Sequence, residues 1–220
     1  MTFKKINKHV VSKQRVTDHG EVFTLDREVN AMLDLVKQET VRIDSRFLEP
    51  ACGNGNFLAE ILRRKLEIVK KRYSKSQIEY ERYSILALSS IYGVEILEDN
   101  VKECRERILG IFVDTYLKYY RKTSKIDFVK AAEFVINRNI LWGDALSLKT
   151  PDKNAEPIVF SEWSLVKGNL IKRRDFKMSH LLEYQPFDGP SLFSDLGEDA
   201  FIPMPIKDYP LINFLELGGK

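Results

Sequence analysis

The chain has 220 residues, of which 44% are hydrophobic and 30% charged, and its formal net charge is +3 at neutral pH. These values exclude a disordered or fibrous chain and indicate a globular protein long enough for one α/β domain. The small positive charge permits nucleic acid as a partner without requiring it. The two cysteines, Cys52 and Cys104, are too few for a disulfide framework. No apolar run is long enough to span a membrane and the basic N-terminus has no apolar signal core, so we expect a soluble, cytoplasmic protein.

In chain order, residues 1–16 form a basic arm, and the apolar spacing that follows predicts a helix over residues 25–37. A short strand at 46–50 then leads through a glycine turn into a long helix, Asn56 to Tyr73. Beyond it, helices and strands alternate. The helices are predicted at 77–91, 98–122 and 127–138, and the strands at 92–96, 139–146 and 156–163.

This alternation predicts an α/β fold with a Rossmann-like, doubly wound, mostly parallel sheet and crossover helices. After Trp163 the pattern changes, and residues 164–176 indicate a β-hairpin that turns at Gly168 and Asn169. The remainder is irregular and contains several prolines. We therefore expect a main domain at 17–163 and a C-terminal hairpin and extension at 164–220, packed on that domain or on a partner.

Gly53 and Gly55 form a Gly-x-Gly turn between a strand and a helix, where a ligand can approach the backbone closely. Glu95 and Asp144 lie at the ends of the next two predicted strands, so their carboxylates are placed to accept hydrogen bonds from ribose hydroxyls and from an adenine amine. A tight turn without a ligand, with surface carboxylates nearby, is the simpler alternative. A nicotinamide oxidoreductase also fits the turn, but Leu58 stands where the dinucleotide fingerprint has its third glycine.

Four segments in a fixed order carry a resemblance to a known family. They are, in chain order, GEVFTL (20–25), EPACGNGNFL (49–58), IYGVEILEDNVKECRERI (91–108) and ILWGDAL (140–146). They resemble the motifs of S-adenosylmethionine-dependent DNA methyltransferases that modify an exocyclic amine, especially the adenine-specific restriction-modification group. Glu49 replaces the family's common aspartate, and Leu25 stands where proline is common.

The resemblance implies S-adenosylmethionine as the cofactor of the domain at 17–163, bound at the carboxyl ends of the strands. Each cofactor contact that it implies falls on one of the four segments. Phe23 and Thr24 would contact the methionine end, Glu49, Ala51, Gly53 and Gly55 would surround the amino acid and the sulfonium, and Glu95, Ile96 and Asp144 would bind the ribose, the adenine face and the adenine amine.

The family's catalytic loop, an Asn/Asp/Ser-Pro-Pro-aromatic sequence, is absent because no two prolines in the chain are adjacent. At the corresponding place, Glu162 could accept hydrogen bonds from an amine and Trp163 could stack on a base. The alternative is that both belong to one strand of the hairpin, with Trp163 held in packing. The resemblance therefore implies a DNA adenine methyltransferase or its cofactor-binding half. A non-catalytic cofactor-binding subunit that acts through a catalytic or specificity partner is the alternative.

Two basic segments are candidates for contact with DNA. The run from Arg63 to Arg72 holds six basic residues and one acidic residue, and Lys172, Arg173 and Arg174 lie on the second strand of the hairpin. Either would attract phosphates without reading the base sequence, although charged runs on helices are usually solvated faces. His19 and His180 have no metal-ligand spacing with other residues, so we expect no metal site.

Overall fold

The computed structural model describes residues 13–19, 21–22, 24–182 and 204–219. Its helices are α1 (Lys13–His19), α2 (Asp26–Leu35), α3 (Lys37–Thr40), α4 (Asn56–Tyr73), α5 (Gln77–Ser89), α6 (Glu98–Tyr120), α7 (Ile126–Asn139) and α8 (Met178–Leu182). Its strands are β1 (Phe47–Glu49), β2 (Ile91–Glu95), β3 (Ile140–Trp142), β4 (Val159–Leu165), β5 (Leu170–Lys177), β6 (Lys207–Asp208) and β7 (Ile212–Asn213). None of the helices in these ranges is long and apolar enough to cross a membrane.

The predicted helices and strands are confirmed along most of the described chain. The helix predicted over residues 25–37 is divided into two, because α2 ends at Leu35 and α3 begins at Lys37. Most of the predicted basic arm and much of the C-terminal extension lie outside the described residues.

Strands β1, β2 and β3 form a parallel sheet in that order, and β2 is buried along its whole length. Helices α4 and α5 connect β1 to β2, and α6 and α7 connect β2 to β3, so each pair returns the chain to the beginning of a parallel strand. Cys52 and Leu58 pack closely on Gly93 of β2, where an added Cβ would lie 2.8 Å from the Cys52 sulfur. The molecule is therefore a mixed α/β structure in which a glycine in the central strand admits the turn that follows β1.

A second, antiparallel sheet contains β4, β5, β6 and β7, with β5 paired to each of the other three. The predicted hairpin is confirmed: Gly168 has a φ of +66°, and the Val166 N–H donates to the Leu170 carbonyl at 2.8 Å. One face of β2 packs on this sheet through Tyr92, whose ring meets that of Phe160 edge-on at 5.5 Å.

Strand β4 runs opposite to the parallel strands. Just before it, Ile158 packs beside Gly143, which follows the end of β3. Further along, the Ser161 carbonyl accepts a hydrogen bond from Tyr92 in the second position of β2, and the Trp163 ring donates to Asn139, which immediately precedes β3. The chain therefore passes along β4 from the carboxyl-terminal edge of the parallel sheet to its amino-terminal edge.

The amino-terminal edge is held together by a buried lysine. Lys65 of α4 is 0% exposed, and its ammonium donates to the carbonyls of Ile43 and Ser45 and to the hydroxyl of Ser90. Ile43 and Ser45 precede β1, whereas Ser90 precedes β2. This one side chain therefore joins the starts of two parallel strands to the helix that covers them.

Candidate cofactor site

The glycine turn is tied to the elements on either side of it. Gly53 and Gly55 have φ values of +51° and +85°, which glycine adopts without strain. The Cys52 N–H donates to the Val94 carbonyl of β2 at 3.0 Å, and an added Cβ on Gly55 would lie 2.5 Å from the Cys104 sulfur. The backbone conformation therefore requires both glycines, and close packing against Cys104 also requires Gly55, whatever the turn holds.

Glu95, at the end of β2, faces this turn. Its carboxylate is only 7% exposed and accepts hydrogen bonds from the backbone N–H groups of Gly53, at 2.7 Å, and Leu97, at 3.0 Å. A carboxylate offers about four acceptor positions, so two positions remain for a further pair of donors. The fixed, desolvated carboxylate is suited to binding two neighbouring hydroxyl groups.

Glu49, at the end of β1, is half-buried beside the same turn. Burial raises the pKa of its carboxyl group above the ordinary value, and a hydrogen bond from the backbone of the exposed Ala51 acts in the opposite direction. No cation among the described residues lies within ion-pair distance of the Glu49 carboxylate. The neighbouring Arg46 pairs with Glu162, and Arg63 pairs with Glu60. A positively charged ligand group would relieve the desolvation of Glu49.

Asp144 follows β3 at the same edge. Its carboxylate accepts from the Leu146 N–H at 2.9 Å, and this bond, followed by those from Ser147, lowers the pKa of Asp144. The nearby Ile96 side chain is 48% exposed, while its carbonyl accepts from the Trp142 ring nitrogen at 2.9 Å. An ionised acceptor and an exposed apolar side chain therefore stand side by side along the sheet, as binding of a flat, amine-bearing ring requires.

The segment upstream of α2 docks on the beginnings of α4 and α6. The Thr24 carbonyl accepts from the Asn56 side chain at 2.9 Å. Glu21 accepts from Asn100 at 2.6 Å and from Arg15 at 2.8 Å, and the Arg15 hydrogen bond is the main reason that the pKa of Glu21 is lowered. Phe23, the other predicted contact of this segment, lies outside the described residues.

Of the predicted cofactor-site residues, the structure brings together all those that it describes. The ends of the three parallel strands and the upstream segment meet at the carboxyl-terminal edge of the sheet. The residues brought together are Thr24, Glu49, Ala51, Gly53, Gly55, Glu95, Ile96 and Asp144. Sequence reasoning missed Glu21, Asn56 and Asn100, which anchor the upstream segment. Asn56 stands inside the glycine motif and could have been suspected, whereas nothing in the sequence links Glu21 to Asn100.

Glu162 and Trp163 are placed elsewhere. Glu162 forms ion pairs with Arg46, at 2.5 Å, and with Arg174, at 2.9 Å. Trp163 is 4% exposed and donates to Asn139 at 2.9 Å. Arg46 and Asn139 precede β1 and β3. Glu162 and Trp163 therefore lie at the amino-terminal edge of the sheet, about 10 Å along β1 from its carboxyl end. The structure does not join them to the glycine turn, and their environment favours the packing interpretation.

The candidate DNA-binding residues of the hairpin are engaged within the chain. Lys172 pairs with Asp208, and Arg174 pairs with Glu162. Arg173 is 7% exposed and donates to Asp175 at 2.7 Å. Intramolecular carboxylates therefore neutralise all three side chains.

The basic run on α4 is also engaged within the chain over most of its length. Arg63 pairs with Glu60, Arg64 pairs with Asp34 at 2.8 Å, and Lys65 is buried. By contrast, no ion pair involves Lys71 or Arg72 in the part of the chain that the structure describes, although Lys70 beside them pairs with Glu67. Only the end of the run is available to an external anion.

Metal and thiol chemistry find little support at this edge. Within the described ranges, no group of three or more His, Cys, Asp or Glu side chains could hold a metal ion. Cys52 and Cys104 are free and buried, and a hydrogen bond between them, together with burial, raises the pKa of the Cys52 thiol. A buried thiol with a raised pKa is a poor nucleophile.

Comparisons of the chain with known protein families, with curated proteins and with solved structures found no match. The site geometry and the order of the motifs are therefore the observations from which a function can be proposed.

Proposed function

We propose that this chain is the cofactor-binding half of an S-adenosylmethionine-dependent DNA methyltransferase of the exocyclic-amine, adenine type. The observation that carries the proposal is the buried Glu95 carboxylate, which Gly53 of the glycine turn binds at the carboxyl end of a parallel strand. We infer further that β1, β2 and β3 are the cofactor-binding part of a Rossmann-like, doubly wound sheet. Their parallel order and the crossover helices α4 and α6 support this inference.

In this proposal, each residue at the edge has a separate task. The Glu49 carboxylate pairs with the ammonium of the methionine part, and Glu95 accepts from the ribose hydroxyls. Asp144 accepts from the adenine amine while Ile96 covers one face of the ring. The bound cofactor supplies an electrophilic methyl group on its sulfonium, and the protein holds that group at the glycine turn.

The groups that act on the base are inferred to come from a partner chain. Glu162 and Trp163 support this part of the proposal, because both are engaged at the opposite edge of the sheet. The chain also lacks adjacent prolines anywhere in its sequence. The second candidate is a non-catalytic subunit that binds the cofactor and regulates a partner. The same engagement of Glu162 and Trp163 favours it.

Calorimetric titration with S-adenosylhomocysteine tests cofactor binding. We expect the wild-type chain to bind it and Glu95→Gln to weaken binding by about tenfold or more, since charge-assisted hydrogen bonds to the ribose are lost. Glu106→Gln, an exposed carboxylate change on α6, is the control and should alter affinity by less than about twofold. Absence of binding by the wild type, or binding of NAD instead, would contradict the proposal.

Labelled methyl transfer to unmethylated, mixed-sequence DNA separates the catalytic alternatives. We expect no incorporation by the purified chain alone, in a sample that binds S-adenosylhomocysteine. Incorporation by the chain alone would disprove the need for a partner. Incorporation that appears only after a neighbouring methyltransferase or specificity chain is added would favour the cofactor-binding half over the regulatory subunit.

A further inference from the structure

Two basic segments that are distant in sequence converge at the C-terminal ends of α4 and α6. The Tyr120 hydroxyl donates to the Ser74 carbonyl at 2.9 Å, and the Gln77 side chain donates to the Thr123 carbonyl at 2.8 Å. These bonds place residues 71–75 beside residues 118–122. We call the resulting surface the basic pole, and its cations are Lys71, Arg72, Lys75, Lys118, Arg121 and Lys122.

The charges of the basic pole are exposed and uncompensated. All six side chains are exposed, and none has a carboxylate within ion-pair distance in the described ranges, although Lys70 and Arg82 nearby have such partners. The negative ends of two helix dipoles attract cations and explain one or two of them. Six unpaired cations exceed what two helix ends need and repel one another, so the surface is suited to an external polyanion.

A groove with aromatic walls adjoins the basic pole. It has a volume of about 400 Å³, and its lining residues include Arg42, Asp44, Arg72, Tyr73 and Tyr83, with Arg42 paired to Asp44 at 3.6 Å. The two tyrosine rings stack with their centroids 3.8 Å apart. Arginine side chains and tyrosine hydroxyls are frequent ligands of phosphate and sugar in nucleic-acid complexes.

The basic pole is remote from the glycine turn. Helix α4 begins at the turn, and the pole includes the last turn of this 18-residue helix, which is about 27 Å long. The groove lies on the same side, because Arg42 precedes β1. The phosphates bound here therefore lie outside the proposed cofactor site.

We propose that the basic pole and its groove bind the phosphate backbone of a nucleic acid without reading its sequence. This second contact surface is independent of the proposed cofactor site. Within residues 70–77 and 117–123 of the described chain no large hydrophobic side chain is exposed, and the exposed ones closest in sequence to the basic pole and its groove are single side chains, Val41 beside Arg42 and Ile126. This disfavours an anionic membrane, because membrane-binding surfaces insert several apolar groups. The length of the cationic surface favours a nucleic acid over a short acidic peptide, and the tyrosines of the groove add ligands for phosphate and sugar.

Fluorescence anisotropy with a mixed-sequence DNA duplex, and with one of its single strands, tests this proposal on the full chain. The pole variant carries Arg72→Gln, Lys75→Gln, Arg121→Gln and Lys122→Gln. The control carries the same number of charge losses at exposed lysines elsewhere, namely Lys102→Gln, Lys149→Gln, Lys153→Gln and Lys167→Gln. Thermal unfolding of both variants shows whether they remain folded. The anisotropy measurement uses no cofactor, so its result does not depend on cofactor binding.

We expect the pole variant to lose about tenfold or more in affinity and about three units of the slope of log affinity against log salt, while the control changes affinity by about twofold or less. Preference for the duplex or for the single strand supports the proposal and identifies which of them the groove accepts. Equal losses in the pole variant and the control overturn the assignment. Binding of phosphatidylserine vesicles, with no binding of either nucleic acid, overturns it as well.

Discussion

At the carboxyl-terminal edge of the parallel sheet, Glu49, Glu95 and Asp144 have no cationic partner among the described residues, and Glu95 retains open acceptor positions. At the amino-terminal edge the polar side chains are paired with one another. The Lys65 ammonium has three acceptors there, and Glu162 has two arginine partners.

This difference shows how the two edges use polar groups. A desolvated carboxylate without a counter-ion costs stability, so its presence points to a ligand that completes it. Burial lowers the pKa of Lys65 to about 7, but its three acceptors already occupy all the protons of the ammonium, so it has no donor left for a ligand. The carboxyl-terminal edge is therefore the place for a ligand, and the amino-terminal edge holds the strands together.

Replacing Lys65 by methionine tests the structural role of the amino-terminal edge and should have the largest effect. It removes the donor from two buried carbonyls and one hydroxyl, and we expect a loss of about 4 kcal/mol in the free energy of unfolding. Lys71→Met, an exposed change on the same helix, should cost less than about 0.5 kcal/mol. Urea denaturation measures both values, and a small effect of Lys65→Met would contradict the account of this edge.

Gly55→Ala tests the backbone of the glycine turn. The substitution forces alanine to a φ of +85° and places its Cβ 2.5 Å from the Cys104 sulfur, so we expect a loss of about 3 kcal/mol. Binding of S-adenosylhomocysteine should be lost as well. Gly110→Ala is the control, because its Cβ meets nothing within 4 Å in the middle of α6; it should stabilise the chain by up to about 1 kcal/mol. Equal effects of the two substitutions would disprove the constraint.

Glu162→Gln distinguishes an ion-paired surface residue from a catalytic one. Its partners Arg46 and Arg174 are partly exposed, at 57% and 39% of their side chains, so we expect a stability loss of at most about 1 kcal/mol. Affinity for S-adenosylhomocysteine should stay within about twofold of the wild type. If a partner chain restores methyl transfer, Glu162→Gln should leave its rate unchanged, and loss of turnover would return Glu162 to the active site.

Glu49→Gln should have the smallest effect on stability, and that effect should depend on pH. Burial holds the pKa of Glu49 above its ordinary value. The folded state therefore binds the proton more tightly than the unfolded state, and the contribution of Glu49 to stability falls as the pH rises through the raised pKa. The variant should thus be more stable than the wild type at pH 7, with the difference disappearing near pH 4. A stability gain that is the same at both pH values would contradict this cause.

The glycine turn and the strand-end carboxylates could be predicted because their signals are local. A strand, two glycines and a helix follow one another within residues 47–73, and Glu95 ends a strand that is recognisable by its own composition. Local order of this kind fixes backbone geometry without knowledge of distant contacts.

A hairpin strand was one of the two interpretations of Glu162 and Trp163 that the sequence allowed, but the edge of the parallel sheet at which they lie could not be predicted. A strand has the same alternation whether it runs parallel or antiparallel to its neighbours. Its direction depends on packing of Phe160 against Tyr92 and on the hairpin partner. The prediction that residues 63–72 of α4 form a basic surface was incomplete for a similar reason. Sequence does not show that Lys65 is buried, or that Arg72 lies on the same surface as Arg121.

Hydrogen–deuterium exchange of the wild-type chain, with and without saturating S-adenosylhomocysteine, tests the contrast between the two edges most directly. The account predicts slower exchange at residues 51–57, 95–97 and 144–148, with no change along β4. Slower exchange centred on residues 159–165, or none at the glycine turn in a sample that binds the ligand, would contradict it.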